Sequence, residues 1–386
     1  MKTLTDSLYY GLRSLCSRKV YLALLIVVPL TFTFFFINMM DEGVAEKVPS
    51  AVVDLDQSEL SRKVIRNLSS SQLTAIDHKV ESFHEAVGEV RRGEIYGFFM
   101  IPADFQRDAI GGRTPTITYY CNMTYFVPGT LAFKGFKTTA VTTVGGLVQT
   151  TLVSTGVNES SATALVNPVA IQQQGIGNPW MNYNYYLTSS FVPGIIALIV
   201  AIVAAYSICD EMKRGTSPEW LRHSGGSVLI ALTGKLAPQA VIAIAVGLLC
   251  QASMFGFSHF PMHCPAWHIM LAMVLMVLAS QAFAVIVCSA IPNLRLAVST
   301  CSLCGILAFS LAAFSFPVEQ MYPAVGIFSY ILPVRYYFLI YIDQALNGIP
   351  LYFSRFYYIA LLMFPLLSFI GLPRLKKHLR KPFYIP

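Results

Sequence analysis

The sequence predicts a polytopic α-helical membrane protein with six transmembrane helices plus a re-entrant hairpin, and with an α/β extracytoplasmic domain. Hydrophobic residues make up 55% of the 386 residues and charged residues only 12%, whereas a soluble domain carries charge on about a quarter of its residues. The mean hydropathy is +0.58. The charge is also uneven, because residues 41–185 hold 14 of the 20 acidic residues. That segment is therefore predicted to be a water-exposed insert in a chain that is otherwise embedded in lipid.

Six apolar runs are long enough to cross a bilayer, which takes about 20 residues in a helix. They are Val20–Asn38, Ser190–Ile208, Ala237–Phe257, Ile269–Ile291, Leu296–Phe316 and Phe356–Leu372. The first run is too long for a signal-peptide core, and no small-residue cleavage site follows it. We therefore predict a retained transmembrane helix 1 at 20–40 and helices 2–6 within 186–372.

The orientation follows from lysine and arginine in the short connections, which favour the cytoplasmic side. These residues cluster before span one, after span two and after span six, whereas the loop between spans three and four has none. The clusters are Lys2, Arg13, Arg18 and Lys19; Lys213, Arg214 and Arg222; and Arg374, Lys376, Lys377, Arg380 and Lys381. Both termini are therefore predicted to be cytoplasmic, with a basic tail at 373–386. Trp180, Trp220 and Trp267 lie near span ends, as interfacial aromatic residues do.

The N-terminal segment, residues 1–19, is predicted to be an amphipathic helix on the inner membrane surface. Leu4, Leu8, Leu12 and Leu15 share one helical face, and basic residues follow near the membrane end. The alternative is a cytoplasmic extension of span one.

Residues 317–350 are too apolar for an ordinary aqueous loop. Pro317, Pro323 and Pro333 interrupt the stretch, and each half is too short to cross the bilayer. A re-entrant hairpin that enters from the outside fits this pattern best. A single tilted seventh span is the alternative, but it would place the basic C-terminus outside.

Residues 41–185 have the pattern of an α/β domain, in which short β-branched runs alternate with polar helical stretches. The predicted strands are Ser50–Asp54, Leu73–Ile76, Tyr96–Ile101 and Thr116–Tyr120. The predicted helices are Ser58–Leu68, Val80–Arg91 and Pro102–Ile110, and residues 126–175 are expected to return the chain to the membrane as one or two long helices.

Several function classes are excluded by what the sequence lacks. The net charge is +7, but the basic residues follow span ends and form no aromatic-interleaved stripe of the kind that nucleic-acid binders use. The apolar spans carry no paired aspartates, Ser/His pair or HExxH motif for intramembrane proteolysis. The sequence contains no GxxxxGK[ST] phosphate loop. We therefore predict no catalytic residue, metal site or cofactor in this chain.

Five stretches resemble the permease (membrane) subunits of ABC-2 type exporters. The closest resemblance is to the bacterial drug and polymer exporter branch, whose members have a large extracytoplasmic domain between spans one and two. These stretches are AVVDLDQSELSRKVIRNL at 51–68, RRGEIYGFFMIPADFQRDAIGGRTPTITYYCN at 91–122, DEMKRGTSPEWLRHSGGS at 210–227, Thr-Gly-Lys at 233–235 and LPVRY at 332–336. Their order along a matching topology covers essentially the whole chain.

The resemblance implies a permease of a bacterial inner-membrane exporter, powered by a separate cytoplasmic ABC ATPase dimer that binds ATP and magnesium. A second permease copy or a sister permease would complete the path, and a periplasmic membrane-fusion adaptor and membrane lipids are further expected partners. An amphiphilic, drug-like or lipid-linked cargo is expected, because spans one and five carry few polar groups. A membrane-anchored docking protein that recruits a periplasmic adaptor is the alternative function.

Two groups of residues are predicted to act in this exporter. Glu211, Gly215, Thr216 and Glu219 are assigned to the loop that couples ATPase movement to the spans, because the family has its Glu-x-x-x-Gly-Thr motif at 211–216. Glu319, Arg335 and Asp343 in the predicted hairpin either gate the outer exit or form structural pairs.

Overall fold

A computed structural model describes residues 2–41, 43, 47–111, 113, 116–124, 126–166, 178, 182–314 and 316–380. The chain divides into two compact units. One comprises Met1–Gly43 with Gly175–Pro386, and the other comprises Val44–Gln174. We call them the membrane unit and the α/β unit and describe each by itself. Trp180 and residues 381–386 of the predicted basic tail lie outside the described residues.

The described helices and strands follow one another along the chain in a simple order. They are α1 Lys2–Ser17, α2 Lys19–Met39, β1 Val48–Asp54, α3 Glu59–Ser69, β2 Thr74–Lys79, α4 Phe83–Arg92, β3 Gly97–Ile101, α5 Phe105–Ile110, β4 Thr118–Cys121, α6 Phe126–Ser154, α7 Glu159–Val166, α8 Asn184–Lys213, α9 Ser217–His223, α10 Val228–Phe257, α11 Ala266–Ala290, α12 Leu294–Leu311, α13 Pro323–Ser329, α14 Pro333–Leu346 and α15 Leu351–Arg380.

Six helices of the membrane unit are long and apolar enough to cross a bilayer: α2, α8, α10, α11, α12 and α15. Each overlaps one of the six predicted spans, so the described part of the chain fits a polytopic helical membrane protein. The fifth span ends at Leu311, five residues before the predicted end. The reason is local, because Ala313 adopts a left-handed conformation with φ 72° that a continuing helix does not allow. The sixth helix continues through the basic residues up to Arg380.

The helices α13 and α14 form a bent pair within the stretch predicted as a hairpin. Their axes meet at 82° across a short break, and together they are apolar enough for either one broken span or a re-entrant loop. The bend follows from Pro333, which starts α14, because a proline disfavours the helical conformation in the residue before it.

The core of the membrane unit is centred on α8 and α11. Inside the most apolar stretch of each helix, 72% of α8 and 67% of α11 is buried, against 22% of α2 and α12 and 17% of α15. The helix α11 packs against α8 and α15, and α8 also packs against α12. The three outer helices therefore present most of their apolar surface to lipid or to another chain.

The N-terminal helix α1 lies along α10 and is separate from span one. Arg18 is extended between α1 and α2, with φ −113° and ψ 95°, so the two helices are not continuous. The packed face of α1 carries Ser7, Gly11 and Leu15, which are buried, whereas Leu4 and Leu12 are exposed by 43% and 49%. The leucines predicted to share one face are therefore not all buried. The face that packs against α10 instead carries the small residues Ser7 and Gly11, whose spacing of four lets the two helix backbones approach closely.

The α/β unit is built on a four-stranded sheet with the order β2-β1-β3-β4. The strands β2, β1 and β3 are parallel, and the edge strand β4 pairs antiparallel to β3. Alternate residues of β1 face opposite sides, where Ala51 and Val53 pack against α4, and Val52 packs with α3 and α5. The helix α5 begins at Phe105, later than predicted, because Asp104 adopts φ 66°.

We predict that Gly11→Ala lowers the thermal unfolding midpoint of the purified protein. In a helix, alanine is favoured over glycine by about 0.5–1 kcal/mol, but a Cβ at Gly11 would overlap the backbone of Gly234 in α10. Gly256→Ala is the matched control in the same unit, because a Cβ there meets no atom within 4 Å. It is expected to keep or raise the midpoint. Equal shifts in both variants would contradict the close packing of α1 on α10.

Candidate functional site

The candidate site is the short helix α9 together with the helix ends that surround it. Gly215 ends the preceding helix with φ 73°, a conformation that glycine adopts at little cost. Pro218 then occupies the first turn of α9, where its missing N–H needs no partner. The result is a tight connection of three residues between span two and α9.

Glu211 lies at the centre of this site, near the C-terminal end of α8, and is only 6% exposed. Lys235 of α10 forms an ion pair with its Oε1, and the Thr216 hydroxyl donates to its Oε2. The Tyr10 hydroxyl donates from α1 at 3.2 Å to each carboxylate oxygen. A single buried carboxylate thus joins α1, α8, α10 and the loop that leads into α9.

The partner of this carboxylate, Lys235, is 2% exposed. Its ammonium nitrogen lies 4.6 Å from the centroid of the Trp220 ring, which α9 contributes, and 5.9 Å from that of Tyr10. Trp220 itself is completely buried. The prediction that Trp220 is an interfacial residue is therefore wrong, because its ring closes over the buried ammonium as a cation–π partner.

A second carboxylate, Asp210, carries two arginines. Its Oδ2 lies 2.5 Å from Nη2 of Arg18 and 2.9 Å from Nε of Arg214. Arg18 joins α1 to α2, so this pair fastens the start of span one to the end of span two. Asp210 is 4% exposed, and charge-assisted bonds at this depth are stronger than those of exposed pairs.

These contacts form two clusters, one around Asp210 and one around Glu211, which adjoin because the two carboxylates are consecutive residues of α8. We call the two clusters together the charged junction. Its residues are Tyr10, Arg18, Asp210, Glu211, Arg214, Thr216, Trp220 and Lys235.

Two further contacts extend the charged junction to its neighbours. The hydroxyls of Ser7 in α1 and Ser224, just after α9, lie 3.0 Å apart. On the other side, Ser217 donates at 2.9 Å to the carbonyl of Leu379 near the end of α15. The short helix α9 is thus held by α1, α8, α10 and α15.

Tyr10 acts only as a donor in this network. Burial raises the pKa of its phenol above the usual range, and the charge of Glu211 and its hydrogen bond to Tyr10 raise that pKa further. The hydroxyl therefore stays protonated at physiological pH and keeps donating to Glu211.

The exposed side of α9 faces water rather than the helices. Glu219, Arg222 and His223 are exposed, whereas Ser217, Trp220 and Leu221 are buried. Glu219 also lines an open cleft of about 590 Å³ beside α1. A buried face and a charged outer face at helical spacing make α9 a surface helix that can receive a second protein.

A family model described as an ABC-2 family transporter protein matches residues 19–372. The chain belongs to the ABC-2 transporter family. It is therefore the membrane permease of an ABC transporter, a class of subunit that is generally not catalytic itself, and this membership implies an ATPase partner. A search of curated proteins finds no match.

The predicted coupling residues occupy different positions in this ABC-2 permease. The structure brings Glu211 and Thr216 together in the charged junction and places Gly215 at the turn between them. It keeps Glu219 apart, with its side chain 59% exposed and 4.0 Å from His223. Sequence reasoning missed the other six members of the charged junction, which are Tyr10, Arg18, Asp210, Arg214, Trp220 and Lys235.

The three residues predicted at an outer gate do not pair with one another. Among the described ion pairs none joins Glu319, Arg335 and Asp343. Asp343 accepts a hydrogen bond from Ser354 at 3.1 Å, and Glu319 is exposed.

Arg335 is the unusual member of this group. It is only 6% exposed and lies over the ring of Tyr330 at 4.9 Å. Its Nε and Nη1 atoms have no hydrogen-bond partner in the part of the chain that the structure describes. Glu319, Arg335 and Asp343 were expected either to gate the outer exit or to form structural pairs, and no ion pair forms among these three residues, all of which the structure describes.

In the described residues, no group of three or more His, Cys, Asp and Glu side chains could hold a metal ion. Asp54 at the end of β1 and Asp56 just after it accept backbone N–H groups: Asp54 from residues 56 and 57, and Asp56 from residue 106. They shape the turn into α3.

We predict that Glu211→Gln destabilises the membrane unit by about 3–5 kcal/mol, because it leaves the Lys235 ammonium buried without a counter-charge. The double variant Glu211→Gln/Lys235→Met is expected to recover much of this loss. Denaturant unfolding of the four proteins of the cycle measures the coupling. Glu219→Gln is the control, with an expected change within about 0.5 kcal/mol. A Glu211→Gln effect as small as that of the control would rule out the buried pair.

We also predict that Arg335→Met leaves the unfolding midpoint almost unchanged, whereas Lys235→Met lowers it. Both changes remove a buried cation, but only Lys235 neutralises a buried carboxylate, and losing one partner of such a pair costs about 3–5 kcal/mol. The same thermal unfolding measurement serves both variants. A loss in Arg335→Met as large as that in Lys235→Met would mean that Arg335 has a structural partner.

Proposed function

We propose that this chain is the permease of an ATP-driven exporter and that α9 is its docking element for the ATPase. The observation that carries the proposal is the charged junction. Buried ionic contacts join α1 and the facing ends of spans two and three. The helix α9 is attached to this assembly through the Thr216 hydroxyl, which donates to Glu211, and through the Trp220 ring, which lies against the Lys235 ammonium. An ATPase that moves α9 therefore moves these spans with it.

The physical argument for this coupling is stiffness. A long flexible loop would absorb the movement of a docked ATPase, whereas α9 follows span two after three residues. Buried ion pairs resist separation, because breaking one leaves an unpaired charge in a medium of low dielectric constant. In this arrangement Glu211 and Thr216 hold α9 to the end of span two, Gly215 shapes the turn between them, and Glu219 contacts the ATPase.

In this proposal both termini lie in the cytoplasm of a bacterial cell, and the chain crosses the inner membrane six times. The α/β unit, which is inserted in the sequence between spans one and two, then lies on the extracytoplasmic side. The bent pair α13–α14 enters from the outer side as a re-entrant hairpin. The lysine and arginine bias of the short connections supports this orientation.

The exported substrate is proposed to be amphiphilic, drug-like or lipid-linked. Support comes from the outer surfaces of spans one and five, where large apolar side chains are exposed, among them Phe34, Phe35, Leu303 and Ile306. A path between two such surfaces favours an apolar cargo. A second permease copy or a sister chain supplies the facing surface, and the α/β unit receives a periplasmic adaptor.

Arg335 is proposed to act at the outer exit. A buried guanidinium with free N–H donors can attract an anionic group of a passing molecule. Its place in the bent pair, next to the break between α13 and α14, suits a group that opens and closes. Glu319 and Asp343 add negative charge to the same segment.

We predict that Glu219→Lys lowers the affinity for the ATPase at least about tenfold, because a reversed charge at an interface opposes its partner. The tagged chain is purified from its own cells, and the Mg-ATP hydrolysis retained with it is measured. Thermal unfolding should be unchanged, since Glu219 is exposed. Glu59→Lys in α3 is the matched control, because that exposed carboxylate lies in the α/β unit. Retention of full hydrolysis by Glu219→Lys would refute the docking role of α9.

A further inference from the structure

A second cleft of about 390 Å³ opens between the start of α2 and the end of α8. Its walls are apolar and aromatic, with Tyr21 and Leu24 on the α2 side and Ile202 and Tyr206 on the α8 side. Arg18 and Arg214 stand at one end. The cleft thus has a charged mouth and an apolar floor.

The geometry of the helices places the two ends at different depths in the membrane. Leu24 lies five residues beyond Lys19, where α2 begins directly after Arg18, which corresponds to about 7.5 Å along a helix. On the other wall, Ile202 precedes Arg214 by twelve residues, or about 18 Å. The arginines therefore lie at the level of a span end, and the apolar floor runs from there toward the bilayer centre.

The mouth carries an excess of positive charge. Arg18 and Arg214 share one oxygen of a single carboxylate, that of Asp210, so one positive charge is left without a counter-charge there. The Nε atom of Arg214 lies 2.9 Å from Asp210, and the Arg214 side chain is 59% exposed. Its guanidinium group is therefore accessible to a ligand.

We propose that this cleft binds one anionic phospholipid of the cytoplasmic leaflet. Its phosphate lies against Arg18 and Arg214, and one acyl chain lies along Leu24 and Ile202. The leaflet rests on the orientation proposed above. Basic pockets between transmembrane helices at the cytoplasmic side are suited to anionic lipid headgroups, and arginine forms bidentate contacts with phosphate.

The apolar floor distinguishes a lipid from a soluble anion. A free phosphate would use the mouth alone and leave Tyr21, Leu24 and Ile202 facing an empty cleft. Val20 at the rim is 67% exposed, so the cleft is open to the bilayer from the side. The site therefore matches a molecule that is anionic at one end and apolar along its length.

A lipid in this position touches the charged junction directly. Its phosphate competes with Asp210 for Arg214, and Asp210 adjoins Glu211, which holds α9 through Thr216. The anionic lipid content of the membrane would thus bear on how firmly span one is fastened to span two.

The first experiment uses the unmodified full chain in detergent. Native mass spectrometry compares the retention of added phosphatidylglycerol and of phosphatidylcholine with the same acyl chains. We expect one bound phosphatidylglycerol per chain with at least about fivefold preference, the effect of one arginine at a membrane surface. Equal retention of the two lipids, or displacement of phosphatidylglycerol by glycerol phosphate at the same concentration, would overturn the proposal. The proposal would also be overturned if the chain were observed as a dimer that retains no phosphatidylglycerol.

Two variants locate the site. Arg214→Gln should lower the preference about fivefold, whereas Arg13→Gln, an exposed arginine that lines the neighbouring polar cleft and not this one, should leave it unchanged. Ile202→Phe fills the floor and should reduce the retention of both lipids. The same retention in Arg214→Gln and Arg13→Gln would place the lipid elsewhere. The readout involves no ATPase and no transport, so it stands or fails separately from the exporter function.

Discussion

The ion pair between Glu211 and Lys235 is the contact on which the arrangement of the helix ends around α9 depends. Each partner is nearly inaccessible to water, so neither charge is tolerated without the other. Because the two residues come from different spans, the pair determines how α8 and α10 meet. Thr216, Tyr10 and Trp220 then gather around it, and the position of α9 follows from theirs. The close contact of Gly11 with Gly234 brings α1 near enough for Tyr10 to take part.

Much of the fold could be predicted from the sequence because bilayer thickness and strand–helix alternation leave strong patterns. The six apolar runs and the strands around Val52 and Phe99 are such patterns. The charged junction was harder to predict, because its residues are spread along the sequence. Its first and last members, Tyr10 and Lys235, are 225 positions apart. Lysine and arginine near span ends were interpreted as markers of orientation. Lys235 lay just before the predicted third span, which began at Ala237, whereas α10 begins at Val228. Within this helix it is the one basic residue, and a lone buried cation in a span calls for a partner.

The residues predicted to couple the spans to the ATPase form one group in the sequence, but the structure places them in two different surroundings. Glu211 is internal and holds the helices together, whereas Glu219 is external and available to another protein. The sequence could not show this difference, because both glutamates belong to the same motif-bearing loop. Only the burial of each side chain distinguishes a carboxylate that holds helices together from one that is free to contact another protein. The arginine at the bent pair differs from both, because Arg335 is buried like Lys235 but lacks a carboxylate within reach among the described residues.

In the proposed mechanism, α1 and α9 move as one piece with the ends of spans two and three. This joint movement is tested most directly by a covalent tether between Ser7 and Ser224, whose hydroxyls lie 3.0 Å apart. In the purified complex, with Cys16→Ser as background, the pair Ser7→Cys/Ser224→Cys is oxidised and Mg-ATP hydrolysis is measured before and after addition of a reductant. If α1 and α9 move together, the rate of Mg-ATP hydrolysis should be the same in the oxidised and the reduced protein. Loss of hydrolysis on oxidation, with recovery on reduction, would mean that α1 and α9 move against each other and would contradict the account.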